Sequence, residues 1–139
     1  MMKTYLNTIV AAVGGAISYL VGGFTLSMQV LLILMAIDYI TGLIVAGVFH
    51  NSKKTSTGGL SSKTGFKGLC KKFVVLLIVV ASHEIDAILG INFVRDAVIC
   101  GYCANELLSI VENAGLMGVP VPTVITNAVD TLKEKENEA

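Results

Sequence analysis

Long apolar runs broken by one polar segment dominate the chain, and their lengths predict the elements. Tyr5 to Gly23 is apolar and uncharged, with Lys3 just before it, and is about as long as a membrane span requires. A positive start and later small residues also resemble a secretory signal. No small-x-small cleavage pattern leading into a soluble sequence follows, so a retained helix is expected. Leu26 to Phe49 is the strongest apolar run, interrupted only by Asp38. The short Gly-Gly-Phe-Thr connection ahead of it predicts an antiparallel hairpin of the first two helices.

His50 to Lys72 changes character, to Gly, Ser, Thr and Lys with single apolar residues between them. That pattern predicts a solvated loop with a short interfacial helix around Ser62 to Lys72. Phe73 to Ile91 opens with a purely apolar run and then carries His83, Glu84 and Asp86. Phe93 to Leu116 is a fourth helical stretch. Asn105, Glu106, Ser109, Glu112 and Asn113 recur there at helical spacing, so it spans beside other helices or lies in the interface. Gly118-Val-Pro-Val-Pro122 stops any helix, because proline lacks the amide donor and restricts the residue before it. The tail, 119–139, begins helically and ends in mixed charge. The expected fold is all-α: a single membrane domain over 1–139 with three to four spans, 5–23, 26–49, 73–91 and 93–116, and a basic loop over 50–72.

Composition excludes an ordinary soluble domain. The 139 residues are 54% hydrophobic and 14% charged, where a soluble domain carries about 25% charged residues. The net charge of +0 hides an asymmetry. No acidic residue lies between Tyr39 and His83, yet Lys53, Lys54, Lys63, Lys67, Lys71 and Lys72 all do. The positive-inside rule therefore places this loop on the cytoplasmic side of the membrane. With four spans both termini join it, leaving Arg95 as the one basic residue outside. With three spans, the Phe93–Leu116 stretch lies on the outer surface and Lys133 and Lys135 move outside at little cost. These lysines read as a topology and anionic-lipid determinant; no phosphate-loop or base-stacking pattern accompanies them, so no nucleic-acid partner is expected.

Asp38 is the most informative residue, since an ionised side chain within a span costs several kcal/mol unless paired, hydrated or protonated. Counted along the helices it lies about 16 Å from Phe49, and His83 and Glu84 lie about 15 to 17 Å from Phe73. Matching depths suggest an Asp38–His83 contact, within one chain or between chains, serving either as a polar seam that hydrates or as a static packing pair. His83, Glu84 and Asp86 lack the number and spacing of ligands for a metal, and Glu84 and Asp86 fall on different helix faces. They are expected near the outer interface or on a water-filled seam, with no catalytic role. Cys100 and Cys103 form a C-x-x-C inside an apolar helix, and buried small side chains are the expectation for them. Ala11, Gly14, Gly15, Ser18 and Gly22 give the first helix a small-residue face suited to helix association in lipid. No cofactor or metal is implied, and no enzyme.

Several blocks together resemble the toxin-secretion/phage-lysis holin family: Asp38-Tyr-Ile-Thr-Gly42, Leu60-Ser-Ser-Lys-Thr-Gly-Phe-Lys-Gly68, and Asn105-Glu-Leu-Leu-Ser-Ile-Val-Glu-Asn113 followed by Gly118-Val-Pro-Val-Pro122. The resemblance runs from about Leu31 onward, in order and spacing. It implies a small inner-membrane protein that accumulates, homo-oligomerises and opens lesions. A cytoplasmic endolysin then reaches the wall, or a large toxin leaves the cell. It carries over no catalytic residue. Competing readings are a small homo-oligomeric ion channel or transporter subunit, and a membrane anchor or holin antagonist.

Overall fold

The computed structural model describes residues 1–138, and Ala139, the last residue of the expected tail, lies outside them. Among the described residues the chain is all-α, with five helices: α1 (Met2–Leu20), α2 (Leu26–Gly47), α3 (Ser62–Leu89), α4 (Val94–Leu116) and α5 (Thr123–Asn137). By length and composition α2 alone qualifies as a membrane-crossing helix. The three to four spans expected above therefore do not follow from helix composition. α3 carries its lysines and acids, and α4 its polar stripe, within the helices themselves.

Local chemistry accounts for the helix ends. Thr25 and Ser61 cap α2 and α3 by accepting from the amides of Met28 and Thr64 at 3.4 Å each. α3 stops at Gly90, whose φ of 65° closes the helix in the left-handed region at little steric cost. The α4–α5 break falls on the Gly118–Pro122 segment, with Pro122 directly before α5.

α4 is the hub, packed along α2, α3 and α5, while α2 and α3 touch each other little. The core joins Val21, Met28, Leu31, Met35, Val79, Ile99 and Cys103. Cys103 thus fills space as a small apolar side chain, and Cys100 is half-buried beside it in sequence. α1 buries no residue and packs along no other helix, so the expected α1–α2 hairpin is absent. The first part of its small-residue face is open, since a Cβ on Gly14 or Gly15 would meet nothing within 4 Å and Ala11 is exposed, whereas Ser18 is half-buried and Gly22 is covered. The turn after α1 is instead taken up by side chains of α3 and α4. There Gly22 (φ +82°) lies so close to His83 that a Cβ would stand 2.6 Å from the imidazole Nδ1.

The basic segment is more ordered than its composition suggests. α3 begins at Ser62 and runs 28 residues without a break, so Lys63, Lys67, Lys71 and Lys72 occupy its first three turns. The short interfacial helix expected over Ser62–Lys72 is continuous with the apolar run that follows. Ahead of it, 50–61 folds on itself: the Ser52 amide donates to the Gly58 carbonyl at 3.0 Å, and the Thr55 hydroxyl to the Gly59 carbonyl at 2.9 Å.

Candidate functional site

A charged side chain survives in an apolar bundle only when its partners are close and numerous. Asp38, on the α4-facing side of α2, meets that condition. Lys72 of α3 donates from Nζ to Asp38 Oδ2 at 2.8 Å and to Glu106 Oε2 of α4 at 2.7 Å. The three side chains are 10–17% exposed, so this is a largely buried cation between two carboxylates drawn from three helices.

Asn113, about two turns further along the same face of α4, completes the site. Its Nδ2 lies 3.2 Å from Asp38 Oδ1, 3.3 Å from the Asp38 carbonyl and 2.9 Å from the Thr41 hydroxyl. Thr41 in turn donates to the Ile37 and Asp38 carbonyls, at 2.9 and 3.0 Å. Among the described residues no buried side-chain polar atom lacks a partner.

The three blocks that carried the family resemblance meet here. From the first, Asp38 takes the ion pair, Tyr39 donates to the Gly65 carbonyl at 3.4 Å, Thr41 receives Asn113, and Gly42 lets Asn113 approach to 3.8 Å of a notional Cβ. From the second, Gly65 and Gly68 supply a backbone surface against Tyr39. From the third come Glu106 and Asn113. Blocks at 38–42, 60–68 and 105–113 are thus one site in space.

The polar stripe on α4 divides between two faces. Glu106, Ser109 and Asn113, spaced three and four apart, turn inward, with Asn113 fully buried. Asn105 and Glu112, seven apart, are exposed. Ser109, Glu112 and Asn113 also edge a cavity of about 620 Å³ that Lys53 and Lys54 close from the loop side. Five of the six lysines are exposed; Lys72 alone is drawn inward.

Within the chain, the Asp38–His83 contact expected from depth is replaced by Asp38–Lys72. The depth count began α3 at Phe73, but the helix starts eleven residues earlier, at Ser62. At 1.5 Å per residue that displaces His83 by about 16 Å along the axis. His83 lies instead at the α1–α2 turn, beside Gly22, Asp86 and Arg95.

That turn is a second polar cluster, and sequence reasoning missed its principal member. Arg95 is 6% exposed. Its guanidinium donates to the carbonyls of Val21 and Gly23 (2.9 Å for the latter), to Thr25 Oγ1 at 3.3 Å, and to Asp96 at 3.1 Å. Asp86 caps α4 from a neighbouring helix, accepting the amides of Val94 and Arg95 at 3.0 Å each. Glu84, on another face of α3, is exposed. A signal for Arg95 did exist. It is the lone basic residue on the side the orientation rule leaves free of positive charge, so its partner had to be local.

Among known proteins, the bacteriophage holin family's sequence profile matches residues 15–134. An uncharacterized protein of Listeria monocytogenes is 41% identical over 138 residues, covering 99% of this chain and 93% of that one. A probable holin of Bacillus phage phi105 is 35% identical over 112 residues, 80% of this chain and 76% of the phage protein. A 14.9 kDa protein of Clostridium perfringens, encoded in the nagH 3′ region, is 27% identical over 134 residues, 95% of this chain and 96% of its own length. No solved structure matches the chain. With a profile match across most of its length and a phage holin among its relatives, the chain belongs to the bacteriophage holin family, a family of membrane proteins and not of enzymes.

Proposed function

We propose that this chain is a phage-type holin that oligomerises in the bacterial inner membrane and forms lesions through which an endolysin, or a toxin, leaves the cytoplasm. The observation that carries the reading is the buried Lys72–Asp38–Glu106 cluster inside a bundle that exposes many large apolar side chains. Such a molecule is tolerated by lipid while closed, and it stores charged surface that can face water once copies gather. α1 supports the same reading, with Leu6, Ile9, Val10, Val13 and Ile17 all exposed along a helix that has no intramolecular partner. In this proposal α1 to α4 supply three to four spans, the Lys-rich loop is cytoplasmic, and the small-residue face of α1 packs against a neighbouring copy; α5, which here packs along α4 with Lys135 and Glu138 beside Phe93 and Asp96, leaves α4 when the tail takes its cytoplasmic place.

The test is expression in bacteria with and without a cytoplasmic endolysin, following turbidity and release of a large cytosolic reporter. Abrupt lysis that needs the endolysin is expected. Ion leakage without reporter release would indicate a channel, and no effect an anchor or antagonist. Asp38→Leu and Glu106→Leu are expected to shift the time of lysis more than protein level. Unchanged timing removes both residues from the mechanism.

A further inference from the structure

Between the C-terminal half of α2, the folded 50–61 segment and the first turns of α3 lies a cavity of about 240 Å³. Its floor is the ion cluster, Asp38, Lys72 and Glu106, and Lys54 and Lys71 also line it. Three ammonium groups thus face two carboxylates, which leaves the cavity one positive charge in excess. Lys72 is committed to both acids, whereas Lys54 and Lys71 are exposed and form no ion pair among the described residues. The rest of the wall joins an apolar side, from Leu43, Ala46, Leu60 and Val75, to the hydroxyl-bearing Ser52, Thr55, Ser61 and Thr64.

We infer that this cavity binds the headgroup of a phospholipid with a single negative charge, such as phosphatidylglycerol. The phosphodiester sits between Lys54 and Lys71, and the start of an acyl chain lies along Leu43 and Val75. Charge complementarity selects the phosphate: one surplus cation matches one monoanion, and a zwitterionic headgroup would bring an ammonium the cavity does not need. The apolar wall selects a lipid over a free anion, which could not use it. Two features make this a built site and not a scatter of surface lysines. The loop wall is held by its own hydrogen bonds, and Tyr39, tied to the Gly65 carbonyl, keeps α2 against α3 at the cavity's side. The position of the cavity at headgroup level rests on the proposed cytoplasmic placement of the loop; binding itself does not.

The test is native mass spectrometry of the full chain in detergent micelles, titrated with phosphatidylglycerol or phosphatidylcholine. One saturable phosphatidylglycerol adduct is expected. Lys54→Gln with Lys71→Gln should weaken it about thirtyfold, from the usual strength of a lysine at an anionic lipid surface. Lys53→Gln with Lys63→Gln removes the same charge away from this cavity and should leave the adduct intact. Gly68→Leu, which fills the cavity while keeping both lysines, should also abolish it, with helix content checked by circular dichroism. Equal loss in both lysine pairs, or equal binding of phosphatidylcholine, overturns the site. Competition by inorganic phosphate at matched concentration overturns the lipid assignment. Selective phosphatidylglycerol binding by a chain that fails to lyse cells overturns the holin reading and upholds the site.

Discussion

Two buried polar clusters occupy the molecule, one near the loop end of α2 and one at its start, and they are built on opposite principles. At the loop end Lys72 is held by charge, one ammonium between the carboxylates of Asp38 and Glu106. At the α1–α2 turn Arg95 is held by shape, its planar fork spread over the carbonyls of Val21 and Gly23 and the hydroxyl of Thr25. The turn cluster closes backbone groups that a helix end leaves unpaired, so it fixes where α1 departs. The loop-end cluster closes no backbone that could not be satisfied otherwise. It ties α2, α3 and α4 together by side chains whose charge and hydration can change. The first kind of site suits a fixed joint, the second a joint that can open.

The largest effect should come from taking the cation out of the charge-held cluster. Lys72→Met leaves two carboxylates buried together without a counterion, a loss of about 3–5 kcal/mol. Thermal loss of helical circular dichroism in detergent measures it. Adding Asp38→Asn and Glu106→Gln to the same chain should restore most of the loss, because an uncharged cluster needs no cation. If the triple variant stays as unstable as Lys72→Met, packing and not charge is what Lys72 supplies, and the contrast between the clusters collapses.

The next effect is on the shape-held cluster. Arg95→Lys keeps the charge and loses the fork, so it should cost about 2–3 kcal/mol by the same measurement, in line with hydrogen bonds to charged groups. A lysine that restores full stability would mean that charge alone anchors the turn. The two sites would then differ in location only.

How much of this was legible beforehand follows the same division. The helices of the apolar runs could be read because periodicity and length report local burial, and α2 and α4 lie where the pattern put them. Asp38 stood out because a charge in an apolar run has no local excuse. Its partner did not, because Lys72 looked like the end of a loop. Composition turns from Gly-Ser-Lys to Val-Leu-Ile at Phe73, but helix formation follows the cap at Ser61 and propagates through lysines readily. Arg95 and Asp86 were hidden for another reason. Both act on backbone groups, Arg95 on a turn distant in sequence and Asp86 on the first amides of the next helix, and no side-chain spacing records that. The hairpin of α1 on α2 was expected from a short connection. A short connection limits distance but does not supply the packing face, and α1 offers nothing to α2 that lipid or a second chain would not match.

The smallest structural change should carry the most functional information. Asp38→Asn removes one carboxylate and leaves Lys72 paired one-to-one with Glu106; the amide oxygen can still accept from Asn113, but the amide NH2 then replaces the oxygen that accepted from Lys72. Stability should fall by only about 1 kcal/mol, the net value of the one hydrogen bond lost. If the cluster is only packing, lysis timing in the endolysin assay should match the unaltered chain. If its charge must hydrate for the helices to part, timing should move although stability has fallen so little, because one fewer carboxylate is available to draw in water. Turbidity curves at matched protein level decide between these. A shift in timing without a large shift in melting assigns the loop-end cluster to the opening itself, and its absence makes that cluster as static as the one around Arg95.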